Sequence, residues 1–153
     1  MDATARSETI RIADSFCGYL AEPVSPTGRA VVVLQEIFGV TRKIRAYCDL
    51  FARAGYTALA PDLFWRLEPG VELSHSESDL AKAFELLGRF SDPDGLRDIG
   101  ACIATLRARG PKKVAVVGYC MGGRLAGLTA ASGRADAAAS SHALHHEPSC
   151  PAS

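Results

Sequence analysis

Three short aliphatic runs, separated by stretches whose apolar positions recur every three or four residues, set the pattern of this chain. Ala30–Leu34, Tyr56–Ala60 and Lys113–Val117 are dense in small and β-branched apolar residues and alternate little with polar ones. That is the pattern of strands buried on both faces of a sheet. From Arg42 to Ala54 the apolar positions Ile44, Tyr47, Cys48, Phe51 and Ala54 fall at helical spacing, and Gly55 stops the helix. Glu77–Phe90 reads as a second helix with Leu80, Ala83, Phe84 and Leu87 on one face. A third opens at Asp92-Pro93, an N-cap followed by proline at the first helical position, and carries Leu96, Ile99, Ile103 and Leu106. Arg124–Ala131 predicts a fourth, directly after the third strand.

Ahead of these elements, Thr9–Ile12 and Phe16–Ala21 alternate loosely and predict an antiparallel pair, followed by a proline- and glycine-rich turn from Pro23 to Gly28. Gln35–Thr41 is a loop. Asp62–Ser76 has no clear period and holds the sole tryptophan, Trp65; loops this long inside a compact domain are usually functional. Strands separated by helices in this order predict an α/β fold of three layers, its sheet mostly parallel and covered by helices on both faces. The pattern changes abruptly near Ala138. Residues 140–153 (SSHALHHEPSCPAS) are nearly free of large apolar side chains and show no strand period. The chain is therefore read as a partial α/β domain over 1–138 and a disordered or non-native tail over 139–153. Without further strands, the edge of Lys113–Val117 would face water and invite self-association.

Composition narrows the function. At 153 residues, 48% apolar and 22% charged, the chain is one ordinary domain. Seventeen basic residues balance seventeen acidic ones, which gives no field for nucleic acid or anionic lipid. Asp2, Arg6, Glu8, Arg11 and Asp14 interrupt any apolar leader, and no stretch is long enough to span a bilayer. The five cysteines (Cys17, Cys48, Cys102, Cys120 and Cys150) form no CxxC pair or zinc spacing. Reduced thiols in a cytoplasmic protein are expected.

Candidate chemistry centres on Gly118-Tyr119-Cys120-Met121-Gly122, which follows the third buried strand and opens a helix. It has the G-x-nucleophile-x-G form of a strand-to-helix elbow, with cysteine as the nucleophile. Such an elbow needs glycines because strand and helix approach where side chains have no room. It lifts the sulfur out of the sheet at a helix N-terminus, where the dipole and free N–H groups favour a thiolate and bind an oxyanion. A purely structural glycine turn is the alternative. A nucleotide loop has little support, since neither G-x-G-x-x-G nor Gly-Lys-Ser/Thr is present.

Three segments together resemble the dienelactone hydrolase family: Gln35-Glu36-Ile37-Phe38-Gly39, Ala60-Pro61-Asp62-Leu63-Phe64, and Gly118-Tyr119-Cys120-Met121-Gly122-Gly123. Their order and separations match the family over roughly residues 10 to 138. The resemblance implies an α/β-hydrolase sheet and cofactor-free hydrolysis of a small ester or lactone through a thiol ester, with no metal. It implies Cys120 as nucleophile, Glu36 as the carboxylate that takes the thiol proton, and the backbone N–H groups of Ile37 and Met121 as oxyanion hole. Phe38, Phe64 and Trp65 would line the pocket or belong to the core. In this fold the acid and histidine of the triad follow the nucleophile, and here the chain runs about 30 residues beyond Cys120. The expectation is a hydrolase truncated and impaired, or alternatively a catalytically silent fragment or binding module. His142, His145 and His146 in the tail are candidates for a metal or a base, with plain tail as the alternative; His75 reads as a surface residue. Cys120 is expected to be the most reactive thiol, and Cys48 and Cys102, on apolar helix faces, inert.

Overall fold

In the computed structural model of the protein the described residues are 6–141. Six strands and four helices follow one another as β1 (Arg6–Ile12), β2 (Phe16–Glu22), β3 (Arg29–Leu34), α1 (Arg42–Arg53), β4 (Tyr56–Pro61), α2 (Glu77–Arg89), α3 (Asp92–Ala108), β5 (Lys113–Tyr119), α4 (Met121–Ala131) and β6 (Ala137–Ser141). They form one sheet in the order β1-β2-β4-β3-β5-β6. The opening hairpin is antiparallel and joins β4 antiparallel; β4, β3, β5 and β6 run parallel.

Side chains alternating across β3 divide the core in two. Ala30, Val32 and Leu34 point to the face covered by α3 and α4, where Ile99, Cys102, Leu106 and Leu125 close the interior. Val31 and Val33 point to the other face, against Ile44, Cys48 and Ala52 of α1. Burying both faces is why these strands read as continuous apolar runs.

Three expectations are corrected. The N-cap of α3 is Ser91, whose hydroxyl accepts from the Asp94 N–H; Asp92 and Pro93 are already helical. This register puts Asp92 and Asp94 in the first turn, where the helix dipole favours anions. On α2 the buried residues are Ala83 and Leu86, whereas Leu80 and Phe84 are 36% and 56% exposed. Phe90, packed edge-on against Phe64 and over the bare face of Gly95, fixes that rotation at the end of the helix.

The edge of β5 is not open. β6 pairs along it from Ala115↔Ala137 to Tyr119↔Ser141, three residues past Ala138. Asp136 prepares the ladder: its carboxylate accepts from the Val114 N–H at 2.7 Å and from Arg107 at 3.0 Å, and its own N–H donates to the Val114 carbonyl. This pairing is made entirely by main chain, so a segment of alanine and serine forms it without any apolar period. Among the described residues no helix is long and apolar enough to cross a membrane.

Leu125 is fully buried where α4 meets the sheet. Leu125→Ala is expected to cost about 2–5 kcal/mol by leaving a cavity, read as a lower urea midpoint at unchanged slope. An unchanged midpoint would mean that α4 is not held by this contact.

Candidate active site

The sharpest feature of the backbone lies between β5 and α4. Cys120 adopts φ 58 and ψ −117, a conformation that costs a side-chain-bearing residue about 1–3 kcal/mol. Its neighbours show why glycine is required. A Cβ on Gly118 would run into the Gly122 carbonyl, and one on Gly122 would lie 2.7 Å from the Gln35 carbonyl oxygen and 2.8 Å from Leu34 Cβ. The first turn of α4 is thus pressed against both β5 and the end of β3. Cys120 is the N-cap of α4, and its carbonyl accepts from Gly123 and Arg124. Met121 is the first helical residue; its side chain is buried, and its N–H lies ahead of the intrahelical ladder.

Register sets the second group beside the first. Leu34 of β3 is paired with Gly118 of β5, so Glu36 and Cys120 each lie two residues beyond the same rung. The loop after β3 is fastened on both sides of Glu36. Gln35, fully buried, accepts from the Leu63 N–H at 2.9 Å and donates to the Glu36 carbonyl at 3.0 Å. Gly39, at φ 92, closes the turn by donating to the same carbonyl, and a Cβ there would strike the Val71 backbone. The Glu36 carboxylate is left 8% exposed. The Cys120 thiol donates to Glu36 Oε2 at 3.9 Å, and Lys43 Nζ, from the first turn of α1, lies 3.2 Å from Oε1 and 3.4 Å from Oε2. Lys43 and Gln35 are site residues that the pattern of the sequence passed over. Lys43 had a signal nonetheless, a cation where a helix N-terminus favours anions.

Burial pushes the half-buried Cys120 thiol above its ordinary range, and the charge and hydrogen bond of Glu36 add to it; Lys43 opposes. The helix terminus led to the expectation of a favoured thiolate; the direction found is upward, from burial first and the like charge of Glu36 second. Cys48 is pushed up to about 12 and Cys102 higher still, both by burial. Cys17 is exposed on β2, so accessibility alone does not single out Cys120.

The remaining expected site residues are spread over loop and core. Ile37 is partly buried beside Glu36. Phe38 is partly exposed, and its ring lies 4.2 Å from that of His75, which is itself exposed. Phe64 is completely buried against Phe90 and has no surface to offer a ligand; it belongs to the core. Trp65 fastens the long loop to the helix layer. It stacks on Phe16 and donates from Nε1 to Asp98 at 2.9 Å, while Arg66 lies over its ring and grips both Asp98 oxygens at 3.0 Å. Asp98 is 4% exposed, so this arginine is what makes a buried carboxylate tolerable there. His142, His145 and His146 lie outside the described residues. No cluster of three or more potential metal ligands occurs among the described residues.

A largely parallel sheet with a sharp strand-to-helix elbow at the C-terminal end of an inner strand is the arrangement of the α/β-hydrolase fold. Sequence comparison agrees and goes further. The profile described as "Dienelactone hydrolase family" matches residues 16–152, and the chain belongs to that family. Carboxymethylenebutenolidase 1 of Cupriavidus pinatubonensis is 38% identical over 131 residues, covering 84% of this chain and 56% of that protein. Carboxymethylenebutenolidase of Pseudomonas sp. strain P51 is 36% identical over 121 residues, 77% of this chain and 51% of its own. The chain thus spans about half the length of the curated relatives it matches. Among solved structures, a Klebsiella pneumoniae protein provisionally assigned as a dienelactone hydrolase superposes with a TM-score of 0.71 at 31% identity, over 88% of this chain and 57% of that one.

Because Glu36 raises the thiol's titration both by charge and by hydrogen bond, Glu36→Gln should lower it. Iodoacetamide should then alkylate Cys120 about three- to thirtyfold faster near pH 7, measured by peptide mass mapping. An unchanged rate would show that the two groups do not sense each other.

Proposed function

We propose that this chain carries the acylation site of a thiol-dependent carboxylic ester or lactone hydrolase. The observation that bears most weight is the Cys120–Glu36 contact of 3.9 Å at the elbow. As an ester carbonyl settles over the sulfur, Glu36 takes the thiol proton while the carbon–sulfur bond forms. The N–H groups of Ile37 and Met121 receive the developing oxyanion. Collapse expels the alcohol oxygen, which takes the proton back from Glu36, and leaves an acyl thioester on Cys120. In a lactone the leaving oxygen stays tethered as the ring opens. Phe38, partly exposed on the same loop as Glu36, is the apolar wall for the acyl part; no cofactor enters the scheme.

Two relatives are named carboxymethylenebutenolidases, which puts an unsaturated lactone first among substrates. Hydrolysis of the thioester needs a further base. Among the described residues the histidine is His75, whose ring lies 4.2 Å from that of Phe38. The unbridged Cys17, Cys48 and Cys102 suit a reducing, cytoplasmic setting.

With p-nitrophenyl acetate, the chain should release about one equivalent of p-nitrophenol in a burst and then proceed slowly, with the acetyl group on Cys120. Cys120→Ala should abolish the burst, and Glu36→Gln should weaken it. A burst that survives in Cys120→Ala would contradict the assignment, and a wild-type chain that is never acylated would favour a silent binding module.

A further inference from the structure

We propose that Lys43 is a positioning residue of this site: its ammonium clamps the Glu36 carboxylate and keeps it turned toward the Cys120 sulfur. The inference rests on the reading of Cys120 as nucleophile and Glu36 as its base, and it adds the group that makes the base usable.

The geometry is a three-member chain. Lys43 Nζ reaches both carboxylate oxygens, at 3.2 and 3.4 Å, and Oε2 is shared with the Cys120 thiol at 3.9 Å. The two ends differ in environment: the Glu36 side chain is 8% exposed and that of Lys43 43%. A carboxylate confined so far from water needs a counter-charge, and a lysine whose side chain stays 43% exposed supplies one at low desolvation cost. Its backbone is well placed to do so. Thr41 caps α1 by accepting from the Ile44 N–H, and Ile44 is fully buried, which fixes the phase of the first turn.

The helix itself has no use for a cation there. The first turn of an α-helix favours acidic residues, and α1 has none in that turn. Such a departure from local preference is characteristic of functional positions. Other charged groups nearby are committed elsewhere. Arg45 bonds the Val40 carbonyl and Glu72, and Arg124 of α4 pairs with Asp92 at 2.8 Å. Tyr119 of β5 stacks on Tyr47 of α1, and Cys48 is buried behind them. The electrostatics follow the same line: Lys43 draws the Cys120 thiol's titration down, against the upward push of burial and Glu36.

The test is the pH profile of Cys120 alkylation by iodoacetamide in the full chain, for wild type, Lys43→Met and Lys43→Arg, with exposed Cys17 as the internal standard. Lys43→Met should shift the profile upward, so that labelling of Cys120 near pH 8 falls about three- to tenfold while Cys17 is unaffected. Lys43→Arg should restore it. If Lys43→Met fails to unfold cooperatively, Lys43→Gln replaces it. A Lys43→Met profile that overlays wild type overturns the proposal, as does a Lys43→Arg profile that is shifted like Lys43→Met. The p-nitrophenyl acetate burst of the wild type separates the two ideas: an intact burst with an unmoved profile sinks the role of Lys43 alone, and an absent burst sinks the functional reading whatever the profile does.

Discussion

The constraint on which the structure turns is steric: β5 must become α4 within one residue, with the helix's first turn pressed onto the neighbouring strand. No side chain fits at Gly118 or Gly122, because backbone atoms of Gly122, Leu34 and Gln35 already occupy the space. Cys120, caught between, has a left-handed φ that an L-residue adopts only under compulsion. The surrounding core supplies the compulsion. Val114 and Val116 anchor β5, Leu125 and Ala126 anchor α4, and all four are buried in one cluster. The elbow is therefore strained locally and held by packing on both sides.

The same close approach creates the electrostatics. Because the Gln35 carbonyl lies under Gly122, Glu36 emerges next to Cys120, the residue that follows β5. A carboxylate and a thiol are brought together in a half-dry crevice, where both cannot comfortably be anions. The thiol faces the Glu36 carboxylate at 3.9 Å, Lys43 lies 3.2 Å from the same carboxylate, and burial with the Glu36 charge pushes the thiol's titration up. In the proposed function, charge would redistribute only when a substrate excludes water and offers its carbonyl to the oxyanion donors.

Much of this was legible in the sequence because the relevant signals are short-range and steric. Valine-rich runs gave the buried strands of the parallel sheet, and glycines two residues either side of Cys120 gave the elbow. Glu36 was found through family resemblance, and the structure supplies its physical setting in the shared rung of β3 and β5. What escaped the sequence depends on tertiary contact. Phe84 and Leu80 look like a helix's buried face, yet Phe90 fixes a different rotation. β6 is held by main-chain bonds and by Asp136, and alanine and serine carry no trace of either. Trp65 and Phe64 are aromatic neighbours in one loop, but one is pinned by Asp98 and Arg66 and the other sinks into the core. The upward shift of the thiol escaped for a similar reason, since a helix terminus is visible in sequence and the burial beside it is not.

At the centre of the site, burial, with the Glu36 carboxylate beside the sulfur, pushes the Cys120 thiol's titration above its ordinary range. The most direct test of that shift is the ultraviolet absorbance of the thiolate titrated against pH, taken as the difference between wild type and Cys120→Ala. The account predicts a midpoint above that of an ordinary cysteine, moving down when the subtraction is repeated in a Glu36→Gln background. A midpoint well below the ordinary value, with thiolate persisting into acid, would contradict it and would return the site to simple activation by the helix terminus.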